Sequence, residues 1–119
     1  MERRENIIVK KTEVFADRIL KMCKYLSKKK TGDRDMLRQI YRSGTSIGAN
    51  ISESNNAQSK ADYINKLSIA LKEADETEYW LTLLFLSNII SESEHHSIQG
   101  DLDVIIGTLV NIIKKVKEQ

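Results

Sequence analysis

Gly44 and Gly48 lie one helical turn apart inside a run whose apolar residues repeat with helical spacing, and this pairing restricts the fold more than any other feature. Over residues 36–54, Leu37, Tyr41, Gly44, Gly48 and Ile51 recur at alternating steps of four and three, with Ile40 and Ile47 beside them. That spacing puts them along one side of a helix. A glycine inside a soluble helix costs roughly 1 kcal/mol relative to alanine, so two of them, followed by Ala49, need a compensating contact. Close approach of a second helix is the usual one. The segment is therefore expected at the centre of a packed bundle, with its shallow side filled by a neighbouring helix rather than by a ligand.

The remaining apolar residues read as three more amphipathic helices. The first covers about 9–29, with Phe15, Ile19, Met22 and Leu26 on one stripe and Ala16, Leu20 and Cys23 beside it. The turn TGDRD ends it and starts the second helix: Gly32 suits a C-terminal cap, and Asp33 or Asp35 can accept from the free N–H groups of the next helix, which runs to about residue 55. Ser59 followed by Asp62 approximates a capping box and opens a third helix over 60–90, with the stripe Ile64, Leu67, Leu71, Ala74, Leu81 and Phe85. At 1.5 Å per residue that helix reaches on the order of 45 Å, long enough to project past the second. Ser91 with Glu94 marks another capping box, followed by Leu102, Ile105, Leu109, Ile112 and Val116. Short connections between long helices favour antiparallel neighbours. The expected fold is all-α, an up-down-up-down antiparallel four-helix bundle occupying residues 1–119 as one domain; 119 residues supply one core and not two.

Certain segments, LRQIYRSGTSIGANISES and then AQSKADYINKLSIALKEADETEYWL, resemble the four-helix bundle family of 23S rRNA intervening-sequence proteins, often labelled ribosomal proteins. The most specific pieces are Arg42-Ser43, Ser46-Ile47, Asn50-Ile51-Ser52-Glu53, Leu67-Ser68-Ile69-Ala70 and Glu76-Thr77-Glu78. The resemblance implies four helices, a ring-shaped homopentamer, a bacterial source and no catalytic role. It also implies nucleic-acid association, since some relatives act beside a reverse transcriptase in diversity-generating retroelements. The chain departs from the commoner pattern in LSKKKTGDRD, where many relatives carry a Phe-Pro turn, and in AQSK, where many carry Gly and Arg-rich residues.

Charge divides the chain where apolar patterning does not. Residues 1–42 hold 13 Lys or Arg against 6 Asp or Glu, a balance of +7, whereas residues 43–119 hold 6 against 11, a balance of −5. Lys21, Lys24, Lys28, Lys29, Lys30, Arg34, Arg38 and Arg42 thus form a candidate nucleic-acid-binding surface. The same asymmetry also fits a positive half meeting the negative half of another subunit. On the second helix Arg42, Ser46, Asn50 and Glu53 advance by four, four and three, a polar stripe next to the apolar one. Glu78 falls between Ala74 and Leu81 in the apolar register of the third helix, and a carboxylate there needs a partner. These five are expected to form a structural polar network between helices two and three. Tyr79 and Trp80 point about 100° apart, so both cannot face the core, and they are candidates for an oligomer interface.

No reaction is named by these residues. Glu92 and His95 have the Glu-x-x-His spacing of di-iron bundles, but it occurs once and at a helix start, where acids complement the helix dipole anyway. His95 and His96 are the only histidines, and neither is preceded by arginine at the Arg-x4-His spacing of helical-bundle ribonucleases. No metal site, cofactor, phosphate loop or small-molecule substrate is expected, and no enzyme. Cys23 is a buried thiol in this reading. The opening MERRENIIVKK is unlike a signal peptide, and no apolar run approaches the roughly 20 residues that span a bilayer, so a cytoplasmic protein without membrane contact is expected. The expected partners are further copies of the chain, with RNA or a reverse transcriptase beyond them; the alternative is a purely protein-binding scaffold.

Overall fold

The computed structural model describes the backbone of residues 3–119 and the side chains from Ile7 onward; Met1 and Glu2, which begin the segment read as unlike a leader, lie outside it. Four helices follow one another: α1 Arg3–Lys29, α2 Arg34–Ser54, α3 Lys60–Leu86 and α4 Glu92–Lys117. The contacts between them run in opposite order along each pair. Ile19 and Thr12 of α1 lie against Gly44 and Gly48 of α2. Ser43 and Glu53 of α2 meet Thr77 and Lys66 of α3, and Phe85 and Glu78 of α3 meet His95 and Gln99 of α4. Each helix is therefore antiparallel to the next, and α4 closes back on α1. The result is an up-down-up-down bundle of 47 × 22 × 20 Å.

Three of the starts rest on local chemistry. Asp33 caps α2 by accepting from the N–H groups of Asp35 (2.8 Å) and Met36 (3.1 Å). Ser59 caps α3 through the Asp62 N–H (3.0 Å), while the Asp62 carboxylate reaches one residue further back than a capping box requires and takes the N–H of Gln58 (3.1 Å). Ser91 and Glu94 form the full reciprocal box at the start of α4, at 3.1 and 2.9 Å. Those bonds from Ser91, backbone first, hold the Glu94 carboxyl below its usual range.

The helix ends depart from expectation. Gly32 is not the cap of α1. Lys30 takes the left-handed conformation at φ 54°, and the N–H groups of Lys30 and Thr31 return to the carbonyls of Ser27 and Leu26, both at 3.2 Å, so the helix closes two residues earlier. Gly32 instead lies against Leu37, whose side chain a Cβ there would approach to 3.3 Å. The same motif ends α3 at Asn88, φ 60°, with Ile89 N–H on Leu84 O at 2.9 Å; Ile89 and Ile90 thus leave the helix that their apolar character suggested they would continue.

The core is filled by Phe15 and Ile19 from α1, Ile40, Ile47 and Ile51 from α2, Leu67, Leu81 and Leu84 from α3, and Leu102, Ile105 and Leu109 from α4. The close approach expected at the two glycines is present: a Cβ on Gly44 would stand 3.0 Å from two Ile19 carbons, and one on Gly48 would stand 3.2 Å from Thr12 Oγ1. Tyr41, placed on the same stripe by spacing, turns out to lie at its edge and is 45% exposed. On α3 the buried line is Leu67, Ala70, Ala74, Thr77, Leu81 and Leu84, so Ile64, Leu71 and Phe85 are only partly covered.

Candidate nucleic-acid interface

All eight cationic residues singled out from the sequence are exposed, but they divide by what surrounds them. Arg42 is committed elsewhere: Nη1 donates to Glu73 Oε2 at 3.1 Å and Nη2 donates to Glu76, so its charge is neutralised by two carboxylates of α3. Lys21 pairs with Asp17 at 2.8 Å, which raises its pKa, and Arg38 stands 3.9 Å from Asp35. Lys29 donates to the Tyr25 hydroxyl at 2.8 Å, and its ammonium lies 4.8 Å from the centre of that ring. Among the described residues, Lys24, Lys28, Lys30 and Arg34 have no carboxylate within ion-pair distance. The early closure of α1 and the three-residue turn after Lys30 bring the last three together at one end of the bundle, with Asp33 spent on capping α2 beside them.

The polar stripe of α2 resolves into two different things. Its ends reach α3, through Arg42 as described and through Glu53, 3.7 Å from Lys66. Its middle folds back: Ser46 Oγ donates to Arg42 O at 2.6 Å and Asn50 Nδ2 donates to Ser46 O at 2.9 Å. Glu78 is not part of this network. It is exposed and accepts from Gln99 of α4 at 2.7 Å, and Gln99 also donates to Asp103 at 2.9 Å. The step from Ala74 to Leu81 passes through Thr77 instead, a residue able to satisfy its polar atom inside the core at far lower cost than a carboxylate.

Tyr79 is 58% exposed, while Trp80 is partly buried against the core, and their rings meet edge to face at 5.1 Å. Leu86, seven residues after Tyr79 and on the same side of α3, is 66% exposed. Sequence reasoning missed a second pair of aromatics, Tyr25 (53% exposed) and Tyr41, which stand in the basic half of the chain. The available signal was their company, Lys24, Lys28 and Lys29 around one and Arg38 and Arg42 around the other. His95, half of the Glu-x-x-His spacing, stacks on Phe85 at 4.9 Å and 8°. Among the described residues no group of three or more His, Cys, Asp or Glu is placed to hold a metal ion, and no helix is long and apolar enough to cross a membrane.

Comparison with known proteins adds the lineage. No curated protein matches the chain. It is similar to a protein of unknown function from the S23 ribosomal protein family of Bacteroides thetaiotaomicron, known from a crystal structure. The two are 49% identical, the match covers 93% of this chain and 98% of that one, and the folds agree with a TM-score of 0.90. The family model for 23S rRNA-intervening sequence proteins matches residues 4–111. A match across nearly the whole bundle, including the glycine-bearing helix on which the packing depends, makes this chain a member of the 23S rRNA-intervening sequence protein family.

Proposed function

We propose that this family member is a non-enzymatic, cytoplasmic binding module that associates with RNA and works as a homo-oligomer. The observation that carries the RNA reading is the group Lys24, Lys28, Lys30 and Arg34, exposed, near one end of the bundle and without carboxylate partners. Cations left free in this way exchange their counterions for phosphates, and each phosphate neutralised releases condensed ions from the nucleic acid. The test is fluorescence anisotropy with labelled RNA at low and physiological salt, comparing wild type with a Lys28→Glu, Lys29→Glu, Lys30→Glu variant of unchanged oligomeric mass. Affinity that falls steeply with salt and is lost in the variant supports the reading. Absence of binding at low salt removes it.

A second reading, a protein-binding scaffold without RNA contact, is favoured by the exposed apolar side chains of Tyr79 and Leu86 on one side of α3. An exposed patch of this kind suits a contact with another subunit, and the ring-shaped homopentamer implied by the family resemblance is the assembly we propose for it. A reverse transcriptase is the proposed protein partner beyond the chain itself.

A further inference from the structure

We infer that the outward side of α1 is a platform for single-stranded nucleic acid, on which bases stack against Tyr25 and Tyr41 while phosphates follow the lysines between them. The inference rests on the RNA reading above and adds which form of nucleic acid the surface selects and which side chains select it.

The placement follows from helix geometry. Lys24 and Lys28 each stand two residues from the buried Leu26, and Lys21 stands two from both Ile19 and Cys23, so all three point roughly 200° away from the core. Tyr25 lies seven residues after Arg18, whose guanidinium donates to Asp101 (2.7 Å) and Ser97 (2.8 Å) of α4; Tyr25 is therefore on the α4 flank of this lysine ridge. Tyr41 lies three residues before Gly44 and seven before Gly48, the positions where Ile19 and Thr12 of α1 pack, which puts it on the flank of α2 that faces α1. One exposed tyrosine thus stands on each side of a ridge about one helix diameter wide, roughly 10–12 Å. Lys29 already shows the chemistry on Tyr25, with a cation over the ring and a hydrogen bond to its hydroxyl.

A duplex hides the faces of its bases in the stack, so it offers this surface phosphates and 2′-hydroxyls but no base face to stack on. A single strand offers both phosphates and base faces. Stacking on an aromatic side chain is tolerant of sequence because every base has a π face, and removing one such side chain typically weakens binding by about 5- to 150-fold. The tyrosine hydroxyl is not required for stacking.

The experiment is fluorescence anisotropy at low salt with a fluorescein-labelled 15-mer of oligoadenylate and with a labelled RNA duplex of the same length, against wild type, Tyr25→Leu, Tyr41→Leu, the double Leu variant and the double Phe variant. The expected result is tighter binding of the single strand by wild type, a loss of about 5-fold or more for each Leu variant on the single strand alone, and affinity within about 2-fold of wild type for the Phe variant. Circular dichroism confirms that each variant is folded. Equal binding of both RNAs, unchanged in the Leu variants, overturns the stacking platform and leaves the phosphate reading intact. Absence of binding to either RNA overturns both.

Discussion

Thr77 and Ser43 face each other across the α2–α3 contact with their hydroxyl oxygens 2.9 Å apart, and neither residue has any exposed surface. The pair holds two protons, and besides each other's oxygens two carbonyls can accept them: Glu73 O at 2.8 Å from Thr77 and Ile40 O at 3.4 Å from Ser43. Both hydroxyls are thus satisfied inside the core without water, and the short side chains let α2 and α3 pack closely around them.

Removing one hydroxyl should cost more than removing both. Thr77→Val leaves Ser43 with only its 3.4 Å acceptor and is expected to destabilise the bundle by about 1–2 kcal/mol, whereas Thr77→Val with Ser43→Ala recovers part of that loss. Urea unfolding of the two single variants and the double variant measures the coupling; strictly additive changes would mean the two hydroxyls do not interact.

Glycine positions should separate cleanly. Gly44→Ala places a Cβ 3.0 Å from Ile19, a fully buried side chain that must shift within a packed core, and is expected to cost about 1–3 kcal/mol. Gly48→Leu meets Thr12, held by hydrogen bonds to Ile8 O and Val9 O, both at 3.0 Å, and should disrupt folding or assembly. Gly107→Ala meets open space and is expected to stabilise by up to about 1 kcal/mol. Thermal unfolding ranks the three, and a neutral Gly44→Ala would show that α1 and α2 do not approach closely there.

Cys23 gives the bundle an alkaline limit. Burial pushes its thiol up to about 11 from 9.0, so the folded state holds the proton more tightly than the unfolded chain does. The thiol's contribution is complete below pH 9 and is lost as pH rises towards 11. Stability of wild type is expected to fall more steeply over that window than that of Cys23→Val, by urea unfolding at several pH values. Parallel curves would show that the thiol is already in contact with water.

Self-association has a direct test at Tyr79 and Leu86. Leu86→Glu and Tyr79→Glu are expected to convert the proposed oligomer to monomers with helix content unchanged, as read by light scattering coupled to size exclusion and by circular dichroism. A wild type that is monomeric at micromolar concentration would end the proposal of assembly, and a stable dimer would reject the pentamer alone.

Much of the fold can be read from spacing alone, and the places where it cannot have identifiable causes. Ser59 and Ser91 announce their helices because capping is local, decided within four residues. Residues 74–81 mislead because Ala74–Glu78–Leu81 and Ala74–Thr77–Leu81 are equally good helical paths, and α3 has apolar residues around most of its circumference. Only the desolvation cost of a carboxylate separates the two. Gly32 misleads for a different reason: glycine is the usual left-handed cap, but the carbonyls of Leu26 and Ser27 are already satisfied once Lys30 adopts that conformation. The candidate site is less legible. Charge counts locate the basic half, yet only the fold shows that Arg42 is consumed by Glu73 and Glu76, and that Tyr41 leaves the apolar stripe for the surface.

Because α1 packs on α2, α2 on α3 and α3 on α4, three of the four seams join helices that are consecutive in the chain, and each can zip from its own turn without a long loop closing first. The chain also has no proline, and so lacks the isomerisation step that slows refolding by tens of seconds in other proteins. The fourth seam, α4 on α1, must gather the two ends of the chain, and its polar links are the contacts of Arg18 with Asp101 and Ser97, solvent-accessible bonds of small net worth in water. This seam is therefore expected to close last and open first, with transient exposure of the core to proteases or to hydrogen exchange beginning there.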